Sequence, residues 1–251
     1  MMVNHKYKFV YIHIPKSAGT FMSKYLGGNI PGTVRKNLNG DGHMGLKAMG
    51  KLINNDYDGY YKFTTVRNPW DWYVSLYEYV KNRKAHEWRL FGGDTTNFKE
   101  WLYKLTNCVI EDDVIEKFKD DHTSTATLYK SIKQSNLDCG WMTHRYIYSG
   151  AVQWLKIFKS MSMEEIADQI DELVIFDDVL SQSDIADDFV NKCGKAINCD
   201  PHLIEAIRTA KKFKVRKGRK PYIRYYDKET RNWVAEKESL LISKFGYEYG
   251  K

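Results

Sequence analysis

Ile14-Pro15-Lys16-Ser17-Ala18-Gly19-Thr20 joins an apolar, β-rich run to a helix-like segment. A strand-to-helix turn offers free backbone N–H groups and the positive end of a helix dipole, which suits a phosphate. Lys16 adds a point charge, Thr20 a hydroxyl, and Gly19 lets the backbone come close. The lysine precedes the glycine, so the Walker pattern is absent and an ordinary ATPase or GTPase is disfavoured. Val66-Arg67-Asn68-Pro69 ends a second β-rich run, and Ser75 lies about two helical turns further on. Arginine grips a phosphate through two parallel N–H bonds, and a helix hydroxyl completes the cradle.

A third group of residues is cationic. The chain has 39 Lys and Arg against 32 Asp and Glu, a net charge of +7. Eight of these cations fall between Arg208 and Lys220 with no acid among them, and the other 31 nearly balance the 32 acids. A local excess of this kind implies an anionic partner. Among single residues, His43 in the Gly-rich run Gly40-Asp41-Gly42-His43-Met44-Gly45 is the preferred proton acceptor, since histidine titrates near neutrality. Glu78, three residues past Ser75, is the rival. His13 reads as packed beneath the first loop. His5, His86 and His202 read as surface residues, and His122 and His144 as polar-loop candidates for an acceptor cleft.

These residues need a frame. Lys8–Ile14, Tyr60–Val66 and Leu173–Phe176 read as strands. Thr20–Leu26, Leu46–Ile53, Trp70–Arg83, Phe98–Leu105, Val114–Phe118, Val152–Phe158, Met163–Ile170, Ile185–Ile197 and Lys228–Phe245 read as helices. Residues 29–45 read as a loop. Strands alternating with helices predict an α/β fold with a mainly parallel sheet flanked by helices and a helical C-terminal part. No repeat or low-complexity linker interrupts the 251 residues, which predicts one domain. With 43% hydrophobic residues a sizeable core is available, which excludes a wholly disordered chain.

Four cysteines without a C-x-x-C pair predict free thiols rather than a zinc site or a disulfide frame. No apolar run reaches the roughly 18–20 residues that span a bilayer. No secretory signal is recognisable either, so the expectation is a soluble, cytoplasmic protein. Asp56-Tyr57-Asp58 offers a D-x-D triplet of the kind metal-dependent glycosyltransferases use, but it reads as a turn. The paired acids Asp112-Asp113, Asp120-Asp121, Asp177-Asp178 and Asp187-Asp188 read as solvated or capping groups.

Taken in order, these blocks resemble those of sulfotransferases that use 3′-phosphoadenosine 5′-phosphosulfate (PAPS). Pro15 to Thr20 is similar to that family's 5′-phosphosulfate loop, and Arg67-Asn68-Pro69 with Ser75 and Tyr77 to its 3′-phosphate motif. The tail, from Lys220-Pro221-Tyr222 through Phe245-Gly246-Tyr247, resembles the carbohydrate and bacterial branch. The resemblance implies a P-loop-like α/β fold and sulfuryl transfer from PAPS to an acceptor hydroxyl, with 3′-phosphoadenosine 5′-phosphate (PAP) as product and no metal. It implies that Lys16, Ser17, Ala18, Gly19 and Thr20 hold the phosphosulfate and that Arg67 and Ser75 bind the 3′-phosphate. Arg216, Lys217, Gly218 and Arg219 would then close over the nucleotide, and His43 would be the base. The acceptor it implies is a carbohydrate, with nucleic acid disfavoured as a partner. Many relatives carry an arginine where this chain has Trp72, which reads here as a core residue. The rival expectations are a nucleic-acid binder built on residues 208–220 and a sulfotransferase-like protein that binds without turnover.

Overall fold

A computed structural model describes residues 1–35, 43–83, 97–117, 120, 123–210 and 220–251. Arg216, Lys217, Gly218, Arg219, Phe118, Asp121, His86, His122 and part of the 29–45 loop lie outside the described residues. The chain divides into two compact units. One comprises Met1–Arg67, Ser149–Val152 and Val174–Arg219, and the other Asn68–Tyr148, Gln153–Leu173 and Lys220–Lys251.

The first unit is built on a five-stranded sheet in the order β3-β1-β2-β4-β5. The strands are β1 (Met2–Asn4), β2 (Phe9–Ile12), β3 (Thr33–Arg35), β4 (Tyr61–Val66) and β5 (Asp178–Ser181). β2, β4 and β5 run parallel, with Phe9 opposite Tyr61 and Phe63 opposite Asp178. β1 is antiparallel to both β2 and β3, so the sheet of this α/β fold is mixed. Side chains alternate across β2. Phe9 and Tyr11 join one buried cluster with Phe63, Leu180 and the helix α1 (Gly19–Asn29), through Phe21, Met22, Tyr25 and Leu26. Val10 and Ile12 join another with Met44, Leu46 and Met49, the last two from the short helix α2 (Leu46–Met49). Both faces of the sheet are therefore covered, as a parallel core requires.

Several elements differ from the sequence expectation. The three-residue strands β1 and β3 are too short to leave a periodic signal, and β3 sits in the stretch expected to be loop. α1 continues through Gly27 and Gly28 to Asn29, because four buried apolar side chains outweigh a glycine penalty of about 1 kcal/mol each. Leu173–Phe176 is not a strand. Its apolar residues serve packing: Val174 and Phe176 sit so close to Gly150 that a Cβ there would meet each of them at 2.5 Å. Pairing with β4 begins only at Asp178. Asp177 and Asp178 are likewise not simply solvated. Asp177 pairs with the buried Lys62 at 2.9 Å, and Asp178 accepts from the Tyr61 hydroxyl.

The second unit is helical. α3 (Pro69–Arg83) starts at the expected proline and buries Trp70, Trp72, Tyr73, Leu76 and Tyr77. It is followed by α4 (Phe98–Thr106), α5 (Asp112–Lys117), α6 (Ser124–Lys133), α7 (Trp141–Gly150), α8 (Trp154–Ser160) and α9 (Met163–Leu173). α4 is capped by the Asn97 side chain, which accepts from Lys99 N and Glu100 N. The chain ends in α10 (Lys228–Lys237) and α11 (Ser239–Phe245), not in one continuous helix.

The break falls at Glu238, whose buried carboxylate caps the start of α7. It accepts from Met142 N at 3.0 Å, Thr143 N at 2.9 Å, Thr143 Oγ1 at 2.6 Å and the Tyr73 hydroxyl. Burial nevertheless pushes the Glu238 pKa up to about 7 against these four donors. His144 follows within α7. It is 1% exposed, with its pKa pushed down to about 4 by burial, so it does not line a cleft as expected from sequence.

Candidate functional site

β2 ends at Ile12, and the chain turns at once into the lysine loop. Lys16 and Ala18 adopt the left-handed conformation, with φ of 64° and 60°. For non-glycine residues this costs on the order of 1–2 kcal/mol each and persists only where the surroundings impose it. The surroundings here are the end of β4. Thr65 donates its hydroxyl to the carbonyl of Ser17, and Arg67 Nη1 donates to the carbonyl of Lys16 at 3.1 Å. Ser17 N closes the turn on Ile14 O at 3.3 Å. With two of its carbonyls anchored to the neighbouring strand end, the loop delivers the chain to α1. The first N–H groups of α1 have no carbonyl within the helix to bond. An array of this kind, alternating left-handed residues with a helix start, is an anion-binding concavity.

The side chains fit a polyanionic ligand. Lys16 is half-buried and Thr20 is exposed. Ser17 is fully buried, and its Oγ has no hydrogen-bond partner among the described residues. An unmet buried hydroxyl costs about 1–3 kcal/mol, which an added acceptor would offset.

Gly19 has a different reason from the one its position suggests. A Cβ on it would lie 2.0 Å from His13 Cε1 and 2.3 Å from Nε2, so its missing side chain makes room for the His13 ring. That ring also contacts His43, with centroids 4.9 Å apart and planes inclined at 42°. The structure therefore brings His43, through His13, beside the loop. His13 thus packs against the loop as its sequence position predicts, whereas its contact with His43 has no signal in the sequence.

Ser75 lies on α3 in the second unit and is half-buried. Glu78, the rival base, accepts from the Tyr225 hydroxyl at 3.0 Å in that same unit. Trp72 is fully buried, the core position expected of it. Of the basic stretch, the described ends Arg208 and Lys220 are exposed. Asp56 Oδ1 accepts from Gly59 N at 3.0 Å, which makes the D-x-D triplet a turn. All four cysteines are free thiols. Among the described residues no cluster of three or more His, Cys, Asp or Glu is arranged to hold a metal ion, and no helix is long and apolar enough to cross a membrane.

No curated protein and no solved structure matches the chain. The model of the family described as "Sulfotransferase family" matches residues 1–192. That span takes in the lysine loop, His43, Arg67, Ser75 and all five strands. The chain thus belongs to the sulfotransferase family, enzymes that transfer a sulfuryl group.

Proposed function

We propose that this sulfotransferase takes its sulfuryl group from PAPS and places it on a hydroxyl of a carbohydrate acceptor. The observation that carries the donor assignment is the 3.1 Å bond from Arg67 Nη1 to the Lys16 carbonyl. It sets two cationic residues at adjacent ends of parallel strands, the edge at which α/β folds bind ligands. A donor with phosphates at both its 3′ and 5′ positions needs cations at two points. Lys16, Ser17, Ala18, Gly19 and Thr20 are assigned to the 5′-phosphosulfate. Arg67 and Ser75 are assigned to the 3′-phosphate, Ser75 on its spacing from Arg67 in the sequence. Arg216, Lys217, Gly218 and Arg219 are assigned to closure over the nucleotide on sequence resemblance. The family match runs through parts of both compact units, which supports reading the chain as one sulfotransferase-like domain.

PAPS supplies a sulfuryl group whose S–O bond to phosphate is replaced by an S–O bond to the acceptor. The chain's own residues then have two tasks. Lys16 and the N-terminal amides of α1 stabilise negative charge on the 5′-phosphate oxygen as the bond to sulfur breaks. His43 takes the proton of the attacking hydroxyl. Holding donor and acceptor in line supplies much of the remaining acceleration. The carbohydrate acceptor rests on the resemblance of the C-terminal sequence to the carbohydrate branch.

The test is incubation with PAPS and a panel of oligosaccharides, read by mass spectrometry for sulfated product and by PAP release. Sulfation that stops in Lys16→Ala supports the reading. PAP release only with non-carbohydrate acceptors would remove the acceptor assignment. Binding to oligonucleotides without affinity for PAP would instead favour a role centred on the basic stretch.

A further inference from the structure

A continuous chain of contacts runs from the lysine loop to His43, and its hydrogen bonds have a fixed direction. Thr65 spends its only hydroxyl proton on the carbonyl of Ser17. The bond of 3.0 Å between Thr65 Oγ1 and the Tyr11 hydroxyl must then be donated by Tyr11. With that proton used, the Tyr11 oxygen is the acceptor in its 3.3 Å contact with His13 Nδ1, so His13 carries its proton on Nδ1. Tyr11 is fully buried on β2, and burial raises its pKa, which keeps the hydroxyl protonated. The His13 ring is thus held at one side by Tyr11. It is seated at another over Gly19, where no side chain fits, and it meets the His43 ring at 4.9 Å.

We propose that His13 is a positioning residue, which Tyr11 and Gly19 hold in place and which in turn fixes the His43 ring beside the lysine loop. The proposal rests on the reading of His43 as the base and extends it. His43 stands just beyond a Gly-rich stretch of chain, where a base needs an external support to keep its geometry within catalytic tolerance. His13 provides this from the end of a central strand. The same ring explains why residue 19 is glycine, so that one side chain ties the loop's shape to the placement of the base.

The test uses the full chain and has two independent readouts. In histidine-labelled wild-type protein, a ring-to-ring nuclear Overhauser contact between His13 and His43 is expected, with the signals assigned through His43→Ala. Its absence overturns the proposal whatever the activity. In turnover, His13→Ala is expected to lower kcat by about tenfold or more, with the KM for PAPS and the affinity for PAP within about threefold of wild type. His13→Phe, which keeps a ring over Gly19, is expected to recover most of that loss. In a His43→Ala background neither substitution should slow turnover further, because His13 acts through His43. Full kcat in His13→Ala, a multiplicative loss in the double variant, or a fall in PAP affinity matching the fall in kcat would each overturn it. If wild type transfers no sulfuryl group, the activity reading fails. The ring contact in wild type, and a change in the His43 ring signals in His13→Ala that His13→Phe reverses, would still decide whether His13 holds His43.

Discussion

Arg67, one residue beyond the end of β4, donates from its guanidinium to the backbone carbonyl of Lys16 in the turn after β2, at 3.1 Å. The bond fixes the lysine loop from outside, through a residue 51 positions away in sequence. It gives Arg67 two tasks in the account: shaping the loop and binding the donor's 3′-phosphate. Replacing it with alanine is therefore expected to weaken PAP binding by roughly 10- to 100-fold, the range of a lost charge-assisted hydrogen bond. Arg67→Lys should recover little, because a lysine presents no planar fork. Calorimetric titration with PAP measures both; unchanged affinity in Arg67→Ala would remove Arg67 from the site, and unchanged affinity in Arg67→Lys would show that charge alone suffices there.

Lys16 is assigned to the leaving phosphate. Lys16→Ala is expected to lower kcat by roughly a hundredfold to a thousandfold, as loss of one charge-stabilising group does. Thermal stability should barely change, because the side chain is half-exposed and its backbone carbonyl remains available to Arg67. A large fall in melting temperature together with normal turnover would mean the lysine is structural.

Gly19 and His13 are expected to be coupled. Gly19→Ala drives a Cβ to 2.0 Å from the His13 ring and should cost about 1–3 kcal/mol of stability, the range for forced overpacking. In a His13→Ala background the same substitution should cost much less. Urea unfolding of the two single variants and the double variant measures the coupling. Additive losses would show that the glycine answers to something other than the ring.

Two buried groups in the second unit give opposite pH dependences. The Glu238 pKa is raised to about 7 in the fold, so its contribution to stability is complete below its ordinary pKa near 4.5 and is lost as pH rises to 7. The His144 pKa is lowered to about 4, so its contribution is complete above 6.5 and is lost as pH falls to 4. Between about 4.5 and 6.5 the two slopes oppose each other. Glu238→Gln should expose the histidine slope, and stability measured by urea unfolding should then fall steadily as pH is lowered through that window. Above pH 7, where the side chain is ionised, the same substitution should also lower stability, because an amide cannot serve all four donors that meet the carboxylate. A pH profile identical to that of wild type would contradict the assignment.

Much of the frame is legible in the sequence because it rests on local patterns. The alternation Phe9, Val10, Tyr11, Ile12 marks β2, Pro69 marks the start of α3, and lysine and arginine stand where two parallel strands end. The elements without a local signature depend on distant partners. Three-residue strands such as β1 exist only by pairing with β2 and β3. The apolar run Leu173–Phe176 imitates a strand because it packs over Gly150. The last helix breaks at Glu238 because that carboxylate caps α7, about 95 residues earlier in the chain. In the site, the loop residues carry a local signature, whereas the part played by His13 depends on a ring contact with His43, 30 positions away.

The central claim is that the loop anchored by Arg67 receives a nucleotide with phosphates on both its 3′ and 5′ positions. The most direct measurement is calorimetric titration of the full chain with PAP, alongside adenosine 5′-monophosphate, which lacks the 3′-phosphate. Saturable PAP binding is expected at one site per chain, weakened in both Lys16→Ala and Arg67→Ala, with adenosine 5′-monophosphate binding weaker than PAP in wild type by a margin that narrows in Arg67→Ala. Equal affinity for the two nucleotides, or PAP binding indifferent to both substitutions, would contradict it.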